Sequence, residues 1–178
     1  MPSRRKFLAG VSTASAVGVI GCLGTSDTTT GLVLRKSIDV EVTSADGNPV
    51  RTDLLNVIFE QDENILHGSY DPEYIASAID ERFVTVSDDL HEALRNQFQD
   101  VRYLANVEST EGDKTPVNTA ATQTAFNELT LGGVASVSTT WGDDGFGYLR
   151  VHNTEPRNQA VSDSNITPFD LDARVNSE

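Results

Sequence analysis

The chain has 178 residues, with 13 basic against 27 acidic ones, a formal charge of −14 and a pI near 4.4. That sign argues against a nucleic-acid partner, because holding a phosphate backbone takes clustered lysine and arginine. A single cysteine excludes disulfide staples and a Cys-x-x-Cys redox pair, so fold stability must come from an ordinary apolar core.

Residues 1–22 open with Arg4, Arg5 and Lys6, continue Phe7-Leu8 into a weakly apolar stretch, and close on Val19-Ile20-Gly21-Cys22. A basic start stays on the cytoplasmic side while the apolar part enters the bilayer. Phe7–Gly21 is diluted by Ser12, Thr13, Ser15 and three glycines, and falls short of the roughly 20 apolar residues of a comfortable span. Modest hydrophobicity beside paired arginines favours the twin-arginine route. The segment resembles the leaders of twin-arginine lipoproteins of halophilic archaea. Arg4, Arg5, Phe7 and Leu8 match the export signal and Gly21-Cys22 the lipobox, while Ala9 departs from the lysine often found there.

That resemblance implies processing at Cys22 and a thioether-linked lipid on its sulfur. The chain would then be anchored on the outer face of the cytoplasmic membrane, extracellular, with the export machinery and the membrane as its partners. Two lipid chains hold stably where one binds marginally. The charge balance fits the same host. Without Arg4, Arg5 and Lys6 the remainder keeps ten basic residues against 27 acidic ones, a net −17, and only Lys36 and Lys114 among them are lysines. Such self-repulsion loosens a fold in dilute buffer. In molar salt the Debye length drops to about 3 Å and the repulsion fades.

Residues 23–30 read as a polar spacer, 31–154 as one α+β domain, and 155–178 as a flexible acidic tail containing Pro156 and Pro168. Leu32, Leu34, Ile38, Val40 and Val42 alternate with polar residues and predict a half-buried strand. Asp46-Gly47-Asn48-Pro49 supplies a turn. Leu54–Glu60, apolar on both faces, predicts a central strand. His67-Gly68-Ser69 reads as loop. Asp71-Pro72-Glu73 opens a helix with an apolar stripe of Tyr74, Ile75, Ala78 and Ile79. Phe83–Val86 is a short extended piece. Ser87-Asp88-Asp89 opens a second helix, with Leu90, Leu94 and Phe98 on its core face.

Val101, Tyr103, Ala105 and Val107 alternate as a further strand, and Thr115–Ala121 extends the sheet. A helical turn around Ala125–Leu129 stops at Gly132-Gly133. Val134–Trp141 and Phe146–Val151 flank Gly142-Asp143-Asp144-Gly145 as a hairpin. The expected fold is α+β: a mostly antiparallel sheet of five to six strands with two helices, its strands able to curl toward a half-barrel. The central order, with its Phe126-Asn127-x-Leu129 turn, resembles uncharacterised haloarchaeal lipoproteins, which carry no assigned activity.

Reactive constellations are sparse. A blue-copper site needs a cysteine, two histidines and usually a methionine, but the cysteine sits in the lipobox and the methionine is Met1. His67, His91 and His152 lack ligand spacing, no Gly-x-Ser-x-Gly occurs, and no glycine loop precedes a lysine. The pairs Asp88-Asp89, Asp143-Asp144 and Asp170-x-Asp172 follow from helix-dipole and turn chemistry in so acidic a chain. Asn165-Ile166-Thr167 is a glycosylation sequon. Trp141, Phe146 and Tyr148 cluster at the hairpin. Aromatics at a loop rim can stack a sugar or a peptide, but alternation along one sheet face favours cross-strand core pairs.

The expectation is therefore a lipid-anchored, non-catalytic binding, structural or accessory protein, with no catalytic residue, metal or cofactor and an unassigned protein or glycan partner. The alternative is an exported hydrolase or weak cation binder whose clustered carboxylates, Asp88 or Asp143 among them, meet in the fold.

Overall fold

A computed structural model describes residues 28–79, 84–110, 115–143 and 145–176. Arg4, Arg5, Phe7, Leu8 and Cys22 lie outside them. The described residues form β1 (Thr29–Thr43), β2 (Pro49–Glu60), β3 (Ile65–Tyr70), α1 (Pro72–Ile75), α2 (Asp88–Gln97), β4 (Val101–Ser109), β5 (Val117–Ala121), α3 (Gln123–Glu128), β6 (Val134–Trp141), β7 (Gly147–Glu155), β8 (Asp163–Pro168) and α4 (Leu171–Val175). The fold is α+β, with one mixed, mostly antiparallel sheet of eight strands and four short helices. That is larger than the five to six strands and two helices expected.

β1 organises the sheet because it is long enough for three partners. Its residues Thr29–Leu32 pair with β6, Gly31–Val40 with β4, and Arg35–Thr43 with β2. Register shifts between Val33 and Arg35 against β4, and between Ile38 and Asp39 against β2, bend the strand. Gly31 permits the closest approach: a Cβ there would lie 1.8 Å from the Glu108 carbonyl oxygen. The sheet runs β4-β5-β7-β6-β1-β2-β3-β8, and β4 pairs with β1 as well. Pairing therefore passes from β1 through β4, β5, β7 and β6 and returns to β1. Only β5–β7 and β3–β8 are parallel.

The apolar faces of the strands meet in one core. Ile38, Val40, Leu55, Val57, Ala105, Val107, Val137 and Phe126 are buried together. α2 starts at Ser87, whose Oγ accepts from the Leu90 N–H at 3.2 Å, and it turns Leu90 and Leu94 inward. α3 starts on Thr122 in the same way and buries Ala125 and Phe126. The Ser87 opening matches the sequence-based expectation, while α3 begins at Gln123, ahead of the turn expected around Ala125–Leu129.

Other expectations fail as well: Thr29 and Thr30, expected in the polar spacer, open β1 and pair with β6. The segment His67-Gly68-Ser69 is strand, not loop, and pairs with Val57 and its neighbours on β2. Residues 155–178, expected as a flexible tail, instead contribute β8 along β3 and α4 beyond it. Apolar burial contributes, since Leu171 enters the core and Ile166, Phe169 and Val175 pack against it, and backbone chemistry adds to it. The buried carboxylate of Asp71 accepts the Glu73 N–H at 2.8 Å and the Leu171 N–H at 2.7 Å, capping α1 and docking α4 at once. Polar composition hides an attachment made through N–H groups.

Candidate functional site

Three neighbouring strands build a groove of about 500 Å³. Leu104 of β4 lies opposite Ala120 of β5, and Ala120 opposite Tyr148 of β7, so these three residues form one row across the sheet. Asp100, Val101, Arg102, Thr119, Ala121, Phe146 and Gly147 complete the lining. The β6–β7 hairpin carries Phe146 there because its turn closes early: Gly142 N–H donates to the Phe146 carbonyl at 2.8 Å.

The hairpin aromatics are not the core pairs that alternation suggests. Trp141 is 76% exposed and Phe146 53%. Trp141 pairs with Gly147 and Tyr148 with Thr140, which puts Trp141 and Tyr148 on opposite faces of the ladder. Phe146 precedes β7 altogether. Tyr148 is half-buried. Gly147 keeps room beside the rings: a Cβ on it would lie 2.9 Å from Thr139 Cγ2 and 4.0 Å from the Trp141 ring.

Charge in the groove is internally compensated. Asp100 accepts from Arg51 Nη2 at 2.6 Å and from Arg102 Nε at 3.0 Å, while Arg51 also reaches Glu41 at 3.3 Å. Two guanidinium groups thus meet two carboxylates. Partial burial alone would raise the Asp100 carboxyl, but the Arg51 hydrogen bond and the Arg102 and Arg51 charges outweigh it and hold the group below the usual carboxylate range. Arg102 in turn lies over Phe146, its Cζ 5.1 Å from the ring centroid. The result is an acceptor carboxylate, a fixed planar donor and an exposed aromatic face side by side.

The other candidate residues disperse. His67 on β3 has Glu60 at 3.8 Å, His91 on α2 bonds the Tyr103 hydroxyl at 2.6 Å through Nδ1, and His152 on β7 bonds Ser138 Oγ at 2.8 Å through Nε2. Asp88 accepts from Gln123 Nε2 at 3.0 Å at the start of α2, far in the sequence from Asp143 at the hairpin. Among the described residues no three His, Cys, Asp or Glu side chains gather as a metal site. Asn165 is exposed on β8, opposite His67. No helix among the described residues is long and apolar enough to cross a membrane.

Sequence patterning did not single out Asp100 or Arg102. The local signal was present as an acid two residues before an arginine at a strand start, but Arg51 arrives from β2, which no spacing rule reveals. No family model matches the chain, and no curated protein or solved structure matches it either.

Proposed function

We propose that this chain is a lipid-anchored, non-catalytic binding protein on the outer face of the cytoplasmic membrane of a halophilic archaeon. Twin-arginine export would deliver it, Cys22 would hold it, and the groove between β4, β5 and β7 would be its ligand surface. The observation that carries the binding role is Phe146, held half-exposed over Arg102 on the groove wall. A large half-exposed ring at a sheet edge is the residue type that anchors ligands.

The strand circuit supports the same reading. We take the closed pairing β1-β4-β5-β7-β6 as a small barrel, the stronger form of the half-barrel expectation. Its connectivity, one parallel closure between the third and fifth strands and a helix before the fourth, is similar to that of the OB-fold, with β2, β3, α1 and α2 inserted between the first and second strands. The likeness is one of connectivity alone. In that design the face of the second and third strands, with the loop between the fourth and fifth, takes oligonucleotides or oligosaccharides. Here those parts are β4, β5 and the β6–β7 hairpin, the same three that line the groove. A chain of charge −14 turns away the nucleic-acid half of that pair.

Two measurements test the reading. On expression of the full chain, Cys22→Ser is expected to release it from membranes, and Arg4→Lys with Arg5→Lys to block export. Membrane retention of the Cys22→Ser chain would contradict the anchor. For the groove, isothermal titration calorimetry follows the addition of neutral oligosaccharides, peptides and anionic polymers to the detergent-solubilised full chain. A response to one class that Phe146→Ala abolishes supports a binding role; silence toward all three overturns it.

A further inference from the structure

On the face of β1 that turns away from the core, we infer that Ser37, Asp39 and Asp53 together hold one alkali cation. Ile38 and Val40 point inward and are fully buried, so Ser37 and Asp39 point to the opposite side of the strand. Asp39 stands opposite Asp53 on β2, and Ser37 opposite Asn56. The register shift beside Asp39 creates that pairing, since unbroken register would place Leu54 there instead. Neither acid belongs to the carboxylate pairs that sequence spacing singles out.

Two polar atoms on this face lack partners. Ser37 is 0% exposed, yet its Oγ completes no hydrogen bond, and Asp39 Oδ1 is shielded from solvent without one. Among the described residues these are the only buried side-chain atoms so placed. They belong to neighbouring positions on one strand face, so a single ligand can serve both. Asp39 also makes no ion pair among the described residues. The arginines of this face are directed elsewhere: Arg51 to Glu41 and Asp100, Arg174 to Asp53 Oδ2 at 3.3 Å, and Arg35 through Nε to Asn56 at 2.8 Å. Burial pushes the Asp39 carboxyl above its usual range, and the Asp53 charge adds to this, against the Ser37 hydroxyl, Arg35 and Arg51. A water molecule would satisfy both orphan atoms. It would leave the carboxylate's charge unmatched, which a cation does not.

The donor set selects the kind of ion. Carboxylate and hydroxyl oxygens are hard ligands and suit hard cations. Asp53 already faces Arg174, so the two carboxylates leave one negative charge unbalanced, and a monovalent ion matches it. Calcium takes about six to eight oxygens, commonly from several acids, and no third acid joins these two among the described residues. Asp53 also lines an open depression of about 390 Å³ with Arg51 and Arg174, which gives a hydrated ion a way in. So few protein oxygens make a weak site. Weak sites fill where the ion is abundant, as in molar salt.

The experiment exchanges the cation at fixed ionic strength and neutral pH. Urea midpoints of the detergent-solubilised full chain are read by circular dichroism in molar NaCl, KCl and tetramethylammonium chloride, whose cation is too large to enter. The wild-type chain should resist urea best in sodium or potassium, and the better of the two identifies the ion. Asp39→Asn should erase that advantage and Ser37→Ala should shrink it. Asp62→Asn, which removes the same charge from an exposed turn, should keep it. A carboxylate buried with water alone behaves differently: Asp39→Asn then relieves a buried charge and raises the midpoint equally in all three salts. That result overturns the site, as do equal wild-type midpoints in the three salts, or an Asp62→Asn effect as large as that of Asp39→Asn. Stabilisation by calcium alone overturns the monovalent assignment. Should Asp39→Asn fail to fold, quadrupolar relaxation of the sodium nucleus on the wild-type chain decides. Excess relaxation displaced by potassium but not by tetramethylammonium supports the site, and equal displacement by both marks a diffuse counterion cloud and overturns it.

Discussion

Lys36 Nζ lies 4.1 Å from the centroid of the Phe126 ring, deep in the core. The same nitrogen donates to the carbonyl oxygens of Val84 at 2.6 Å and Leu129 at 2.9 Å, and the residue is 1% exposed. It therefore ties the chain before α2 and the chain after α3 to β1. A neutral amine has two N–H groups, enough for both carbonyls, while the ammonium adds a charge facing the ring.

Burial draws the Lys36 ammonium down to about 7 from its ordinary 10.5. Below pH 7 folded and unfolded chains both hold that proton. Between 7 and 10.5 only the unfolded chain keeps it, so stability should rise with pH, at most by about 1.4 kcal/mol per pH unit. Tyr103 acts in the opposite sense, since burial pushes its hydroxyl up to about 12. Above pH 10 the unfolded chain loses a phenolic proton that the folded one retains, and stability falls. Denaturant titrations in molar NaCl should thus show a maximum near pH 10. Lys36→Met should abolish the rising limb. A flat wild-type profile between pH 7 and 10 would mean that the ammonium stays charged inside.

Asp71 joins elements a hundred residues apart, so its loss should be felt at the chain's far end. Asp71→Ala removes a helix cap and leaves the Leu171 N–H buried without its acceptor. Together these cost about 2–4 kcal/mol. Asp71→Asn keeps one acceptor oxygen and should cost about half as much. Limited proteolysis should cut between β7 and α4 in Asp71→Ala while sparing the core strands. Equal protection of that segment in both variants would show that β8 pairing alone holds it.

Local signals carried most of the element boundaries, and non-local contacts explain what they missed. Helix openings at Pro72 and Ser87 and the hairpin around Gly142 depend on side chains within four residues, so spacing reveals them. The half-buried pattern of β1 was legible, yet Val33 rather than Leu34 enters the core because a bulge against β4 shifts the phase there. Lys36 reads as a surface lysine until three distant groups surround it. β8 looked like tail because its bonds to β3 are made by backbone, which composition does not record. The groove follows the same division. Its aromatics were visible as a cluster, but which of them stay exposed is set by tertiary packing, and the neutrality of its wall depends on Arg51 crossing from β2.

Salt dependence gives the last prediction. Among the basic residues left after the leader, Lys36 is buried and spent on backbone carbonyls, so it screens nothing at the surface. Arg51, Arg102 and Arg174 each face carboxylates, and acids outnumber bases among the described residues. In dilute buffer the excess negative charge repels itself and should unfold the chain, seen as loss of the β signal in circular dichroism. Adding NaCl or KCl should restore it. Two mechanisms then separate by concentration. Screening is nearly complete by about 0.3 M, where the Debye length is already below 6 Å, whereas exclusion of salt from apolar surface keeps stabilising through the molar range. Comparing chloride with sulfate at equal ionic strength distinguishes them: equal midpoints mark screening, and a lower requirement for sulfate marks exclusion. A fold that holds unchanged from low salt to molar salt would count against a brine-adapted protein altogether.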